Sequence, residues 1–298
     1  MFASLPEKFA RIISEAHGVE GKRWLVRLPE IVERIENEWN LSVFAPFPNL
    51  SYHFVAPCVC AEGSEAVLKI GFPENDSPMF NEAEILRLYN GNGAVKFLRL
   101  DAERFALLLE KLDAGKTLKD FYKNDDRAAV QTAIEILRKI KRKPPDRHNF
   151  VRLEDWFFGF KKAKKTIFPA EKLNKADGFY HELKGAEKHL LHGDFHHENL
   201  LSATRESFLA IDPKGIVGEI GYEIAVFLNN HHWWLESELD LSAKLNDAVR
   251  QFSEAFNITP EDLRKWAYAQ MVLSAWWTFE ENGENWQSDL ALAEIWEV

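Results

Sequence analysis

The chain has 298 residues, 46% of them hydrophobic and 28% charged, with a net charge of −10. That length supports a large core and two lobes, and that hydrophobic share excludes a disordered chain. The acidic balance argues against a nucleic-acid partner, which needs a basic face, and is compatible with a cationic small molecule. No apolar run approaches the roughly 20 residues needed to cross a bilayer. Glu7 and Lys8 interrupt "MFASLPEKFARII" where a secretory leader needs an unbroken apolar core, so a cytoplasmic location is expected.

Two helical stretches are predicted first, "LPEKFARIISEAHG" and "WLVRLPEIVERIENEWN"; in the second, Ile31, Ile35 and Trp39 recur every four residues beside Val32. Short runs rich in Val, Phe and Leu follow, "SYHFVAPCVC", "EAVLKIG", "AVKFLRLD" and "FALLLEKL", and read as strands. Cys58 and Cys60, the only two cysteines, sit two apart in the first of them. Neighbours on one strand do not meet disulfide geometry, and two thiols alone make no zinc site. They read as small apolar residues in a reducing compartment. One helix, "NEAEILRLYNG", interrupts the strands and ends at Gly91.

After "LDAG" at 112–115 nearly everything is helical. "DDRAAVQTAIEILRKI" places Val130, Ile134, Leu137 and Ile140 on one face, and a later helix starts with Thr259 at its N-cap and Pro260 at its first position. The expected organisation is α+β: residues 1–112 a small β-rich lobe with N-terminal helices, residues 113–298 a large helical lobe, and a ligand cleft between them. One non-helical island is expected in the second lobe, "HLLHGDFHHENLLSATRESFLAIDP" at 189–213.

Within the island, His192-Gly193-Asp194 is followed five residues later by Asn199, then by the apolar run "SFLAI" and Asp212. The pattern H-x-D-x-x-x-x-N, a strand and a second Asp is the order of parts used for phosphoryl transfer. Asp194 suits a carboxylate that orients an acceptor hydroxyl and accepts its proton. Asn199 and Asp212 offer the oxygen atoms that magnesium prefers over imidazole. A zinc site from His192, Asp194, His196 and His197 is disfavoured, because adjacent histidines do not easily reach one ion. His192 is expected to brace the loop, His196 has no evident duty, and His197 reads as exposed.

The remaining parts lie upstream. "EAVLKIG" supplies Lys69, with Val67 and Gly71 on its face and Leu68 and Ile70 on the other. Glu82 on the following helix shares the inward face of Ile85 and Leu86, with Glu84 the competing choice. In "LLLEKLDAG" the carbonyl of Glu110 and the N–H of Leu112 are the pair expected to meet adenine. Any one of these features is common; all of them in this order, on elements of the required type, form a specific signal.

The stretches "HGVEGKRWLVRLPEIVERIENEWNL", "AVLKIG", "NEAEILRLYNGNGAVKFLRLD", "ALLLEKLDAG", "LLHGDFHHENLL" and "AIDPKGIVGEIGYEIAVFLNN", spanning about residues 17 to 230, resemble the aminoglycoside phosphotransferase family, in the branch of streptomycin kinases and hydroxyurea phosphotransferases. The resemblance implies a protein-kinase-like two-lobed fold and ATP-dependent transfer to a hydroxyl of a small molecule such as an aminoglycoside. Hydroxyurea or a metabolite is an alternative acceptor, and a nucleotide-binding module without catalysis is an alternative role. It further implies Asp194 as base, Asn199 and Asp212 as Mg2+ ligands, Lys69 on the α/β-phosphates and Glu82 orienting Lys69, in a monomer or homodimer.

There are departures. The turn expected over the phosphates, "PNLSYHFVAP", carries no Gly, leaving backbone N–H groups and Ser51 to cap phosphate. The acid in "GYEIA" is Glu223 where Asp is expected, and a capping or structural role is its plain reading. His-Gly-Asp and Asp-Pro, with no Ala-Pro-Glu segment, point away from an activation loop switched by phosphorylation. Lys214 is open between touching a phosphate and lying on the surface. For the acceptor, "HHWWLESELD" and "WWTFEENGEN" offer aromatic faces and carboxylates, Glu280 and Glu281 among them.

Overall fold

The computed structural model describes residues 5–74, 77–113, 115–235, 240–283 and 285–296. The chain divides into two compact units, Met1–Asp113 and Ala114–Val298.

The N-terminal unit opens with α1 (Glu7–Trp39), which is two helical segments joined at Gly18, where φ is +56° and ψ −128°. That backbone conformation is open only to glycine, so the break falls where the sequence offers one. Five strands follow or flank a second helix: β1 (Leu41–Val43), β2 (His53–Cys60), β3 (Glu65–Gly71), α2 (Pro78–Tyr89), β4 (Phe97–Asp101) and β5 (Ala106–Glu110). They form one antiparallel sheet in the order β1-β2-β3-β5-β4. β1, three residues long, was not anticipated from sequence. α2 starts three residues earlier than expected because Pro78, with its missing N–H, suits the first helical position; Asn90 ends it in the left-handed region.

Strand alternation sorts the two faces of β3. Leu68 and Ile70 join Phe9, Ile13, Leu28 and Ile35 of α1 in a closed core that also takes Phe54 and Ala56 of β2. Lys69 and Gly71 therefore face the other way, where a side chain at Gly71 would meet Met79 of α2 at 3.1 Å. One sheet face is spent on α1, and the other presents Lys69 to α2.

In the C-terminal unit the order is α3 (Leu118–Tyr122), α4 (Asp126–Ile140), β6 (Val151–Arg152), α5 (Leu153–Ala163), α6 (Ala170–Leu183), β7 (Lys188–Leu191), β8 (Leu200–Ser202), β9 (Phe208–Ala210), β10 (Ile216–Glu219), α7 (Ile220–Leu235), α8 (Leu241–Phe256), α9 (Pro260–Asn282) and α10 (Trp286–Ala293). The face expected of α4 is buried, and Thr259 caps α9 by accepting from the N–H of Asp262. β10 pairs antiparallel with β7 and parallel with β6, and β8 pairs with β9. β6 corrects the expectation of a single non-helical island: two residues around 151 serve as a parallel edge for β10. α7 runs directly out of β10 and packs on α9, with most of its length buried.

Candidate active site

In the N-terminal unit the Lys69 ammonium lies 2.6 Å from the Glu82 carboxylate, and both residues are buried. Removing two charges from water costs more than a surface pair returns, so this pair is not there for stability alone. Of the two glutamates offered by α2, Glu82 reaches the lysine and Glu84 does not. Glu110 closes β5, paired with Ala66 of β3, and Leu112 lies just past it. Ser51 is exposed in the turn before β2.

In the C-terminal unit residues 192–199 form a loop held from four sides. Gly193 has φ +84°, and a side chain there would press on Lys214 at 3.1 Å, which explains a glycine between His192 and Asp194. His192 is fully buried; its Nε2 meets the carbonyl of Ile211 at 2.8 Å, and its Nδ1 accepts from the N–H of Asp194. Burial pushes its pKa down to about 4, so it braces the loop as a neutral ring. The carbonyl of His192 accepts from the N–H groups of Lys214 and Gly215, and that of Asn199 from Ile211, tying the loop to the segment carrying Asp212.

The spacing of Asp194 and Asn199 has a local cause. The Asn199 amide donates to the backbone carbonyl of Asp194 at 2.9 Å and lies 3.1 Å from His196 Nε2. Its NH2 is spent within the loop, leaving Oδ1 as the atom it offers to a ligand. Asp212 is held at φ +55°. An amide oxygen and a carboxylate are hard donors, so this pair fits magnesium; it does not suit zinc, since the histidines are committed elsewhere. Among the described residues no cluster of three or more His, Cys, Asp or Glu is arranged around one point.

Lys214 is part of this site. Its Nζ lies 3.4 Å from Asp194 Oδ2 and 4.0 Å from Asp212 Oδ2, so one ammonium bridges the two carboxylates. Sequence left it undecided, because nothing in "DPKG" shows that the turn doubles back onto Asp194. His196 Nε2 stands 3.5 Å from Asp194 Oδ1.

Glu223, in the first turn of α7, is completely buried, and both its oxygens accept from the N–H of Gly193 at 3.0 and 3.1 Å. Burial raises its carboxyl to about 8 against the opposing pull of the backbone N–H groups of Gly193, His192 and Phe195. It is a strut under the loop, in line with the structural reading of this position.

His197 is a correction. It is buried, stacked on Phe227 at 4.1 Å, and its Nε2 meets His231 Nδ1 at 2.9 Å. The partner comes from α7, which sequence adjacency could not place. Burial holds its pKa well below the ordinary histidine value.

A cavity of about 270 Å³ opens against Gly193, Asp194 and His196, walled by residues of α7 and α9 that include Tyr222, Trp233, Gln270 and Trp277. Two of the aromatics in the segments nominated for the acceptor thus reach it. Glu280 does not: it is exposed and paired with Lys162. Glu281 is also exposed and outside the lining. Residues 236–239 and 284 of those segments lie outside the described residues.

A buried lysine–glutamate pair beside a five-stranded sheet, and a helical unit carrying the Asp194 loop, define a protein-kinase-like phosphotransferase. Structural likeness agrees on the fold: aminoglycoside phosphotransferase APH(4)-Ia, solved as a ternary complex with ADP and hygromycin B, matches with a TM-score of 0.59 at 12% identity, over 88% of this chain and 97% of that one. The chain belongs to the aminoglycoside/hydroxyurea antibiotic resistance kinase family, whose model matches residues 47–283. It is 29% identical to a streptomycin 6-kinase of Streptomyces glaucescens, over 93% of this chain and 91% of the relative. It is 28% identical to a hydroxyurea phosphotransferase of Kitasatospora aureofaciens, over 93% and 81%. No described helix is long and apolar enough to cross a membrane.

Proposed function

We propose that the protein transfers the γ-phosphoryl group of ATP to a hydroxyl of a small molecule, with an aminoglycoside such as streptomycin as the first candidate acceptor. The observation that carries this is the position of Asp194. Its carboxylate is held by the braced loop, shares Lys214 with Asp212, and faces a cavity large enough for one ring of an acceptor. In this reading Asp194 orients the acceptor hydroxyl and takes its proton as the oxygen–phosphorus bond forms and ADP leaves. The Asn199 amide holds the Asp194 carbonyl, and Glu223 keeps the loop in register from beneath. Lys69 contacts the α/β-phosphates, aligned by Glu82, while Glu110 and Leu112 offer their backbone to adenine. Ser51 and its neighbours cap phosphate with backbone N–H groups in place of a glycine loop. Asn199 and Asp212 would hold magnesium, which when bound neutralises phosphate charge. Lys214 holds charge between the two carboxylates and suits a phosphate oxygen. A cytoplasmic location, where ATP and magnesium are supplied, belongs to the same reading.

The relatives named a streptomycin kinase and a hydroxyurea phosphotransferase support the reaction class, and the ADP-bound neighbour supports the nucleotide. The test is Asp194→Asn in an ADP-release assay with Mg-ATP and streptomycin. Turnover is expected to fall by about 10²–10⁴-fold, with Mg-ATP still raising the melting temperature. Full turnover in the variant would remove Asp194 from the reaction.

A further inference from the structure

The segment of α1 after Gly18 buries one stripe against the sheet and leaves the opposite stripe in solvent. Leu28, Val32, Ile35 and Trp39 form the buried stripe. Opposite them stand Val19, Arg23, Val26, Glu30 and Glu33, spaced by three or four residues and all exposed. Val19 is 64% exposed and Val26 80%, two apolar side chains two turns apart on the face farthest from the core. One exposed valine alone needs no explanation. These two share a stripe whose charges are sorted by sign, with Lys22, Arg23 and Arg27 over the first turns and Glu30 and Glu33 over the next. Each group repels itself at helical spacing, Arg23 with Arg27 and Glu30 with Glu33, so the sorting is unfavourable for a helix that meets only water. Lys22, Arg27, Glu30 and Glu33 have no ion pair among the described residues. Arg23 has Glu20, but these side chains are 69% and 67% exposed and their pairing contributes little. Beside the stripe, α1 and the Phe72-Pro73 segment after β3 enclose a groove of about 530 Å³. Val19, Trp24, Val26 and Phe72 give it apolar walls, and Lys22, Arg23 and Arg27 add positive charge.

We propose that this face is an interaction surface for a second copy of the chain, the two α1 helices packing antiparallel about a two-fold axis near Val26. Charge complementarity within one helix argues for that occupant. Antiparallel packing centred on Val26 sets Lys22 and Arg23 of each copy opposite Glu30 and Glu33 of the other, and two-fold symmetry makes every contact twice. Val26 meets its own counterpart at the axis, and the groove takes the flank of the opposing helix. Parallel packing sets Arg23 on Arg23 and Glu30 on Glu30 and is repelled. From Val19 to Glu33 the face is about 21 Å long at 1.5 Å per residue. That is the low end of interface size, so a reversible dimer with a micromolar dissociation constant is expected. The surface lies wholly in the N-terminal unit, and none of its residues belongs to the candidate active site. It does not depend on the phosphotransferase reading.

Sedimentation equilibrium of the full chain tests it, with Arg23→Glu, Glu30→Arg and the double variant beside the parent. Each single substitution sets like charges opposite one another at both ends of the interface, and dimerisation is expected to weaken by about tenfold or more. Mixed in equal amounts, the two single variants complement each other at both contacts, and the mixture should recover dimers that neither forms alone. The double variant is complementary to itself and should dimerise as the parent does, within about threefold. Melting temperatures should stay near the parent's, since both side chains are exposed, and about 0.5 M salt should weaken parent and mixture alike. A parent that stays monomeric up to about 200 µM, beyond the range of a micromolar dimer, would overturn the inference. So would single variants that dimerise as tightly as the parent, or a mixture no better than its components.

Discussion

Lys69 and Glu82 are individually ordinary in the sequence, and only strand alternation and helical spacing put them on facing surfaces. Their burial makes the pair separable from stability by mutation. Removing Glu82 alone strands an ammonium out of water, and Glu82→Ala is expected to cost roughly 3–5 kcal/mol. Replacing both, Lys69→Met with Glu82→Met, removes the stranded charge and is expected to restore stability to within about 1 kcal/mol of the parent or above it. ADP release should stay lost in both. Urea unfolding beside the coupled assay checks this; an active double variant would sever the pair from phosphate handling. At this same scale, the gathering of Asp194, Asn199 and Asp212 about one loop was legible, because it follows from residue type and spacing. His197 and Lys214 were not. The first depends on His231 from α7, the second on a turn that doubles back, and neither contact leaves a trace in local pattern.

Elements were legible where a periodic face and a cap coincide. α4 and α9 carry both, with Asp125 and Thr259 as caps, and they fall where the pattern puts them. β6 and β10 are two and four residues long, and their pairing is non-local, so no periodicity can announce them. The joint in α1 lies between these cases. The sequence shows one helical stretch ending at Gly18 and a second beginning at Trp24; the structure runs the second back to Gly18 and explains the break there by a backbone conformation closed to other residues. Nothing lies within 4 Å of where a side chain at Gly18 would stand, so Gly18→Ala isolates backbone strain from packing. The expected cost is about 1–3 kcal/mol, read as a melting temperature several degrees lower. An unchanged melting temperature would mean that the helix straightens without disturbing Phe9 and Ile13, which are fully buried below the joint.

At the scale of the whole molecule, buried titratable groups that serve the loop also set how stability depends on pH. His192 and His231 are held down to about 4 and about 3 by burial, and His197 lies well below its ordinary value. Below about pH 6.5 the unfolded chain takes up protons at these rings and the folded chain does not, so stability falls as pH drops. Glu223 has the opposite sign. Its carboxyl ionises near 4.5 when unfolded and near 8 when folded, so stability falls as pH rises across that window. Between 4.5 and 6.5 three histidines outweigh one glutamate and stability climbs with pH. Above about pH 7 the unfolded histidines have given up most of their protons and Glu223 dominates, removing about 1 kcal/mol by pH 8. Stability is therefore expected to peak near pH 7, measured as melting temperature from pH 4.5 to 9. In Glu223→Gln, which mimics the protonated carboxyl, the decline above 7 should disappear and the climb on the acid side should steepen, because nothing then opposes the histidines. A parental curve that still climbs between 7 and 8, or a variant that declines just as the parent does, would show that the strut under the loop is already ionised at neutral pH.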